Sequence, residues 1–180
     1  METLAAFRLR SPSPEATHAV ARALSSVLEE GGLVIALRGP LGAGKTGFVK
    51  GLAEGLGLDP GVVSSPTFVI AHEYPAAERG VRLVHLDLYR LEHLAELESA
   101  GFLDVLDAYS IVAIEWADRI PEALPADRLE IELSGPCAEA QGERTISVSA
   151  HGLLSASVLR RWSLCLGIAG TVELENVACP

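Results

Sequence analysis

The chain has 180 residues, of which 49% are hydrophobic, and it carries a formal net charge of −10 at pH 7. This length accommodates one buried core but hardly two, and the negative charge, with lysine only at Lys45 and Lys50, disfavours strong direct binding to nucleic acid. The first ten residues show no targeting pattern, and no apolar run approaches the roughly 20 residues that cross a bilayer. We therefore expect a cytoplasmic protein without a membrane segment.

The first half of the chain reads as helix, strand, loop and helix. Ser13 and Pro14 are typical of an N-cap and a first helical turn, and apolar residues then recur at helical spacing until the glycines at 31–32. Residues 33–37 form an uninterrupted apolar run, which indicates a strand buried on both faces. A second apolar stripe follows Thr46 and ends at Gly57, which predicts another helix with a glycine C-terminal cap.

The second half alternates further strands and helices. We predict strands over 66–71, 82–87 and 111–116, with a turn-rich link through Pro75 and Gly80, and a helix over 91–106. Two half-exposed antiparallel strands are predicted over 128–134 and 144–149, and a closing helix over 153–166. Residues 167–180 carry no assignable pattern. The predicted organisation is a single P-loop ATPase domain over 1–166 with a tail over 167–180.

The segment from Gly39 to Thr46 satisfies the phosphate-loop pattern of glycine, four residues, glycine, lysine and a hydroxyl residue. Glycines let successive backbone N–H groups turn toward one anion, and the lysine adds a point charge for the β and γ phosphates. The threonine hydroxyl, in the first turn of the helix, is placed to bind Mg²⁺. The residues expected to bind the nucleotide are Gly39, Leu41, Gly42, Ala43, Gly44, Lys45 and Thr46.

Two acids end predicted strands and are candidates for the metal's water shell or for positioning the attacking water. Asp87 follows residues 83–86, and Glu115 follows residues 111–114, so both are expected at the carboxyl edge of the sheet, where ligands bind in open α/β folds. His85 shares a strand face with Asp87, but a single histidine in a strand is more typical of hydrogen-bonded packing than of a base. We do not assign it a catalytic role.

The nucleotide is expected to be ATP, because the only asparagine, Asn176, is followed by valine and the guanine-reading Asn-Lys-x-Asp motif is therefore missing. Three classes of function remain open: an ATPase, a free-standing small-molecule kinase, and a nucleotide sensor that does not hydrolyse ATP. The kinase is less favoured because Arg90 is the sole arginine between the two candidate acids, whereas kinases close an arginine-bearing lid.

Four ordered blocks of sequence resemble the bacterial TsaE (YjeE) ATPases, which are required for threonylcarbamoyladenosine (t6A) modification of tRNA. The blocks are Leu-Gly-Ala-Gly-Lys-Thr at 41–46, Ser-Pro-Thr-Phe at 65–68, His-Leu-Asp-Leu-Tyr-Arg-Leu at 85–91 and Glu-Trp at 115–116. In this family the loop commonly has a second hydroxyl residue where this chain has Gly47.

The resemblance implies a P-loop ATPase that works in a complex with TsaB and TsaD and meets tRNA only through those partners. It implies that Thr46 and Glu115 bind Mg²⁺, that Asp87 supports hydrolysis, that Thr67 lies on a switch-like loop near the γ-phosphate, and that Arg144 approaches the nucleotide. With Lys45, these give the expected catalytic set of Lys45, Asp87, Glu115 and Thr67. The expected fold is α/β: a three-layer P-loop NTPase fold whose mostly parallel sheet is extended by antiparallel strands.

Overall fold

The computed structural model describes residues 3–28, 32–66, 71–99, 101–135 and 143–168. Its strands are β1 (Ala5–Ser11), β2 (Leu33–Arg38), β3 (Ala71–Ala76), β4 (Val81–Asp87), β5 (Ser110–Glu115), β6 (Leu129–Ser134) and β7 (Arg144–Ala150). Its helices are α1 (Pro14–Ser26), α2 (Lys45–Gly55), α3 (Leu94–Ser99) and α4 (Leu153–Cys165). Within these ranges the strands form one sheet in the order β1-β7-β6-β2-β5-β4-β3.

The sheet is mixed, which confirms the α/β class. Strands β6, β2, β5 and β4 are parallel neighbours. The β1–β7, β7–β6 and β4–β3 pairs are antiparallel. Parallel and antiparallel pairings are thus equal in number, so the parallel share is smaller than predicted. Part of the difference is β1, a strand that was not predicted because its short alternation around Phe7 has charged neighbours.

Two hydrophobic cores lie on opposite faces of the sheet. Leu33, Ile35 and Leu37 of β2 face the core that α1, α2 and α4 cover, whereas Val34 and Ala36 face the core that contains α3. Alternate residues of a strand point to opposite faces, so burial on both sides requires an uninterrupted apolar run. The prediction that residues 33–37 form a doubly covered strand is confirmed.

Trp162 of α4 contacts several elements of the core that α1, α2 and α4 cover. Its ring packs edge-on against Phe7 of β1 at a centroid distance of 5.1 Å and against Phe48 of α2 at 6.3 Å. The indole nitrogen donates to the carbonyl of Val20 in α1 over 3.1 Å, so the polar atom of this fully buried side chain is satisfied. Helix α2 is therefore held by this core and not by local contacts alone.

Helices α1 and α2 approach closely because glycines on α2 face α1. A Cβ added at Gly51 would lie 2.3 Å from the carbonyl oxygen of His18, and one at Gly55 would lie 2.6 Å from the Cβ of Ser25. Gly47, on the first turn of the same helix, has open space around a hypothetical Cβ. Close packing thus explains two of these glycines but not Gly47.

The predicted boundaries of the helices and strands are confirmed at some positions and wrong at others. Ser13 caps α1 as predicted, since its hydroxyl accepts from Ala16 N at 3.2 Å, and Gly57 follows α2 with a positive φ of 83°. The helix predicted over 91–106 was wrong in extent, because Gly101 (φ 81°) separates α3 from a 3₁₀ turn over Phe102–Val105. Pro75, predicted to lie in a link, belongs to the edge strand β3.

Some predictions fall outside the described ranges. Most of the strand predicted over 66–71 lies there, and the observed strand begins only at its last residue, Ala71. The division into a domain over 1–166 and a tail over 167–180 stays a prediction, because residues 169–180 are not described. Among the helices that the structure does describe, none has the length and apolar character needed to cross a membrane.

Candidate functional site

The predicted phosphate loop connects β2 to α2 at the edge of the sheet where β4 and β5 also end. Gly39 has a φ of 135°, and a Cβ there would lie 2.3 Å from the carbonyl oxygen of Leu133, so this position requires glycine. Gly44 caps α2 in the left-handed region, with a φ of 102°. The loop thus has the strand–loop–helix context that the pattern predicts, and it presents the N-terminus of α2.

Lys45, the first residue of α2, points its ammonium group back over this loop. Nζ donates to the carbonyl oxygens of Gly39 at 2.7 Å and Pro40 at 3.0 Å, and it lies 3.6 Å from the centroid of the Trp116 ring. Burial lowers the pKa of Lys45, while the negative charges of Glu115, Asp87 and Asp118 oppose that effect. The Lys45 ammonium is therefore a buried cation close to three acids.

Thr46 and Glu115 are in direct contact although 69 residues separate them. The Thr46 hydroxyl donates to Oε1 of Glu115 at 2.8 Å, and Glu115 is buried at the end of β5. Both contribute the hard oxygen atoms that Mg²⁺ prefers. In the described part of the chain no group of three or more His, Cys, Asp or Glu side chains could hold a metal. These two oxygens therefore fit an ion that takes its remaining ligands from water and phosphate.

Asp87 lies beside Glu115, because the parallel register of β4 and β5 pairs these two residues. Its Oδ2 accepts from the Ser65 hydroxyl at 2.6 Å, and its Oδ1 accepts from Tyr89 N at 2.9 Å. The Ser65 contact connects Asp87 to the segment that leads to Thr67. Thr67 itself lies outside the described residues.

Arg144, at the start of β7, packs against the loop from the other side. Its Nε donates to the carbonyl oxygen of Ala43 at 3.0 Å and lies 3.5 Å from where a Cβ on Gly44 would be. The side chain is buried, and its Nη1 has no hydrogen-bond partner among the described residues. An unpaired buried guanidinium nitrogen beside an anion-binding loop suits a negatively charged ligand.

Three further features belong to the site. His85 is fully buried and hydrogen-bonded, as expected for a single histidine in a strand, but its partner was not predicted: Nε2 lies 2.8 Å from Oε1 of Glu115. The Tyr89 ring contacts the Trp116 ring at 4.9 Å, and Trp116 has a positive φ of 57°, which is uncommon outside glycine. Asp118 adds a negative charge near Lys45. The His-Leu-Asp-Leu-Tyr and Glu-Trp blocks contain most of these residues, but only the fold brings the blocks together.

The structure thus defines an α/β protein with a glycine-rich loop between strand and helix and two acids at the adjoining strand ends. Comparison with known proteins goes further. The family model "Threonylcarbamoyl adenosine biosynthesis protein TsaE" matches residues 11–146. The chain belongs to this TsaE family, as its four sequence blocks indicated.

Individual relatives agree with this assignment. The chain is 40% identical to the tRNA threonylcarbamoyladenosine biosynthesis protein TsaE of Bacillus subtilis, over 81% of this chain and 87% of that protein. It is 42% identical to the protein of the same name from Streptomyces coelicolor, over 73% of this chain and 88% of that protein. A crystal structure of Bacillus subtilis YdiB superposes with a TM-score of 0.65 at 32% identity, covering 88% of this chain and 95% of that one.

Proposed function

We propose that this chain is a Mg²⁺-dependent ATPase that acts in t6A modification of tRNA, within a complex of TsaB and TsaD type proteins. One observation carries the proposal: the hydroxyl of Thr46, from the phosphate loop, donates to the strand-end acid Glu115 at 2.8 Å. A nucleotide hydrolase needs this pairing of a loop hydroxyl with an acid from a neighbouring strand, since both serve the same metal. The family name supports the t6A pathway.

The proposed fold for this activity is the three-layer P-loop NTPase arrangement. Support comes from the two cores on opposite faces of the sheet and from the glycine loop, which leads directly from β2 into α2. Backbone N–H groups at the start of α2 and the Lys45 ammonium would bind the β and γ phosphates.

Each charged residue of the site has a proposed task. Thr46 and Glu115 would hold Mg²⁺, which when bound neutralises phosphate charge. Asp87, fixed by hydrogen bonds at both of its oxygens, would orient the attacking water. Arg144 would direct its unpaired nitrogen toward the phosphates, and Thr67 would sense the γ-phosphate.

A cytoplasmic protein with net charge −10 suits an indirect role toward tRNA. Because like charges repel, the RNA would be held by the TsaB or TsaD type partner, and this chain would supply ATP turnover that resets the complex.

Product analysis tests the proposal. The chain is mixed with Mg-ATP, then with TsaB and TsaD type proteins, then with tRNA, and the phosphate products are identified at each stage. We expect slow release of inorganic phosphate from the chain alone and faster release when the partners are present. A phosphorylated small molecule would instead identify a kinase, and bound but unchanged ATP under all conditions would identify a nucleotide sensor.

A further inference from the structure

His85 lies on β4, one strand in from the edge strand β3, and contacts the acid that accepts from Thr46 of the loop. The side chain is completely buried in β4, between β3 and β5, and its Nε2 lies 2.8 Å from Oε1 of Glu115. An ionised carboxylate can only accept hydrogen bonds, so Nε2 of His85 must carry the proton in this contact.

Among the described residues, two side chains donate to Glu115, and both reach the same carboxylate oxygen. Oε1 accepts from His85 of β4 and from the Thr46 hydroxyl of α2, each at 2.8 Å. Within the described residues no side chain or backbone group donates to Oε2. Two donors that approach from different elements fix the plane of the carboxylate, because neither donor can move independently of the core.

A purely structural role explains this histidine poorly. Nδ1 of His85 is buried and has no hydrogen-bond partner among the described residues. Since an unpaired buried polar atom is destabilising, an apolar side chain would fill a packing position better. His72, which faces His85 across the β3–β4 pair, has its ring within 3.2 Å of the Tyr74 hydroxyl instead.

We infer that His85 is a positioning residue that holds Glu115 in the orientation needed to bind Mg²⁺ together with Thr46. This inference rests on the proposed function, because it assigns His85 a task only if the site binds a metal–nucleotide complex. His85 does not act as a base here, since its protonated nitrogen is directed at Glu115 and its ring is inaccessible to water.

Two amide variants separate positioning from packing. In His85→Gln the side-chain nitrogen can reach the place of Nε2, whereas in His85→Asn it reaches only the place of Nδ1. ADP binding is measured by calorimetry with and without Mg²⁺, and steady-state ATP turnover is measured over a range of Mg²⁺ concentrations. Removal of such a supporting hydrogen bond typically weakens a metal site by about 10- to 100-fold.

We expect His85→Asn to need about 10-fold more Mg²⁺ for half-maximal nucleotide binding and turnover, with metal-free ADP affinity unchanged. His85→Gln should stay within about threefold of the wild type, because it restores the donor. Equal Mg²⁺ requirements in the wild type and His85→Asn, or equal losses in both variants, would overturn the inference and leave the proposed function intact. A wild-type protein whose ADP binding ignores Mg²⁺ would overturn both.

If neither variant folds, the wild-type protein still decides the question. Nitrogen-15 spectra of histidine-labelled protein identify the tautomer of each ring, and the resonance that Glu115→Gln displaces belongs to His85. A signal with the proton on Nε2 that shifts when Mg-ADP is added supports the inference. A proton on Nδ1, or no response to Mg-ADP, contradicts it.

Discussion

Removal of the Lys45 ammonium tests the phosphate site most directly. In the structure the Lys45 side chain is buried, and Nζ donates to the carbonyl oxygens of Gly39 and Pro40, so protein groups already replace much of its contact with solvent. Binding a nucleotide would exchange these two neutral acceptors for charged oxygens of the β and γ phosphates. The gain is therefore the difference between ammonium hydrogen bonds to neutral carbonyls and ammonium hydrogen bonds to charged phosphate oxygens, and not the full strength of two ion pairs.

That difference gives the expected magnitude. Hydrogen bonds to charged groups contribute about 1.5–3 kcal/mol each, and we take about half of this range, about 1–1.5 kcal/mol, as the gain for each of two acceptors that becomes charged, or about 2–3 kcal/mol in total. Lys45→Ala should therefore weaken Mg-ATP binding by about 30- to 150-fold. The loss for Mg-ADP should be smaller, because only the β-phosphate contact is available.

Isothermal calorimetry with Mg-ATP and Mg-ADP measures both losses. Lys50→Ala is a matched control, because Lys50 is the other lysine of the chain and lies in the same helix, α2. The control should bind within about twofold of the wild type, since binding energy at this site comes from position and not from net charge. Equal ATP affinity in Lys45→Ala and the wild type, with both proteins folded by circular dichroism, would refute the site assignment.

Three further predictions concern the metal and the stability of the fold. Glu115→Gln should leave the affinity for metal-free ADP unchanged, but it should lower Mg²⁺-dependent ATP turnover by about 10- to 100-fold, because an amide is a poorer metal ligand than a carboxylate. A phosphate-release assay measures this turnover, and an unchanged rate would contradict the prediction. In urea denaturation, Gly51→Ala should cost about 1–3 kcal/mol through its clash with the His18 carbonyl. Gly47→Ala, where a Cβ has open space, should instead stabilise the fold by about 0.5–1 kcal/mol. Similar effects of the two substitutions would be evidence against close packing of α1 and α2. Burial raises the pKa of Asp127, but hydrogen bonds from Ser155 and Leu154 N outweigh it and lower the pKa overall. These two backbone N–H groups lie in the first turn of α4, so Asp127 caps this helix, and Asp127→Ala should cost about 1 kcal/mol of stability at pH 7. The loss should vanish as the pH falls through the lowered pKa of Asp127 in the folded state. A loss that persists at acid pH would argue against this capping role.

Whether a site residue could be predicted from the sequence depends on how far from it in the chain its partners lie. The predicted phosphate loop is a local pattern, because its glycines, lysine and threonine all lie in one turn and the start of the helix that follows. Its place between β2 and α2 could therefore be predicted. Glu115 and Asp87 could be predicted as strand-end acids, but their adjacency depends on β5 pairing with β4 in register.

Other features depended on contacts that no local pattern encodes. The His85–Glu115 hydrogen bond joins residues 30 positions apart, and the approach of Arg144 to Ala43 joins residues 101 positions apart. Strand β1 was missed because its few apolar residues become a strand only by pairing with β7, at the far end of the described chain. Its alternation was too short to outweigh the charged residues around it.

The α/β class, the glycine-rich loop, most strands and helices, and the family resemblance could all be predicted from the sequence, because each of these rests on short-range periodicity or on motifs of consecutive residues. The strand order, the equal share of antiparallel pairs and the partners of the buried acid followed only from the folded structure. Those outcomes depend on which apolar faces cover one another and on which polar atoms then require a partner, and both are properties of the whole packed chain.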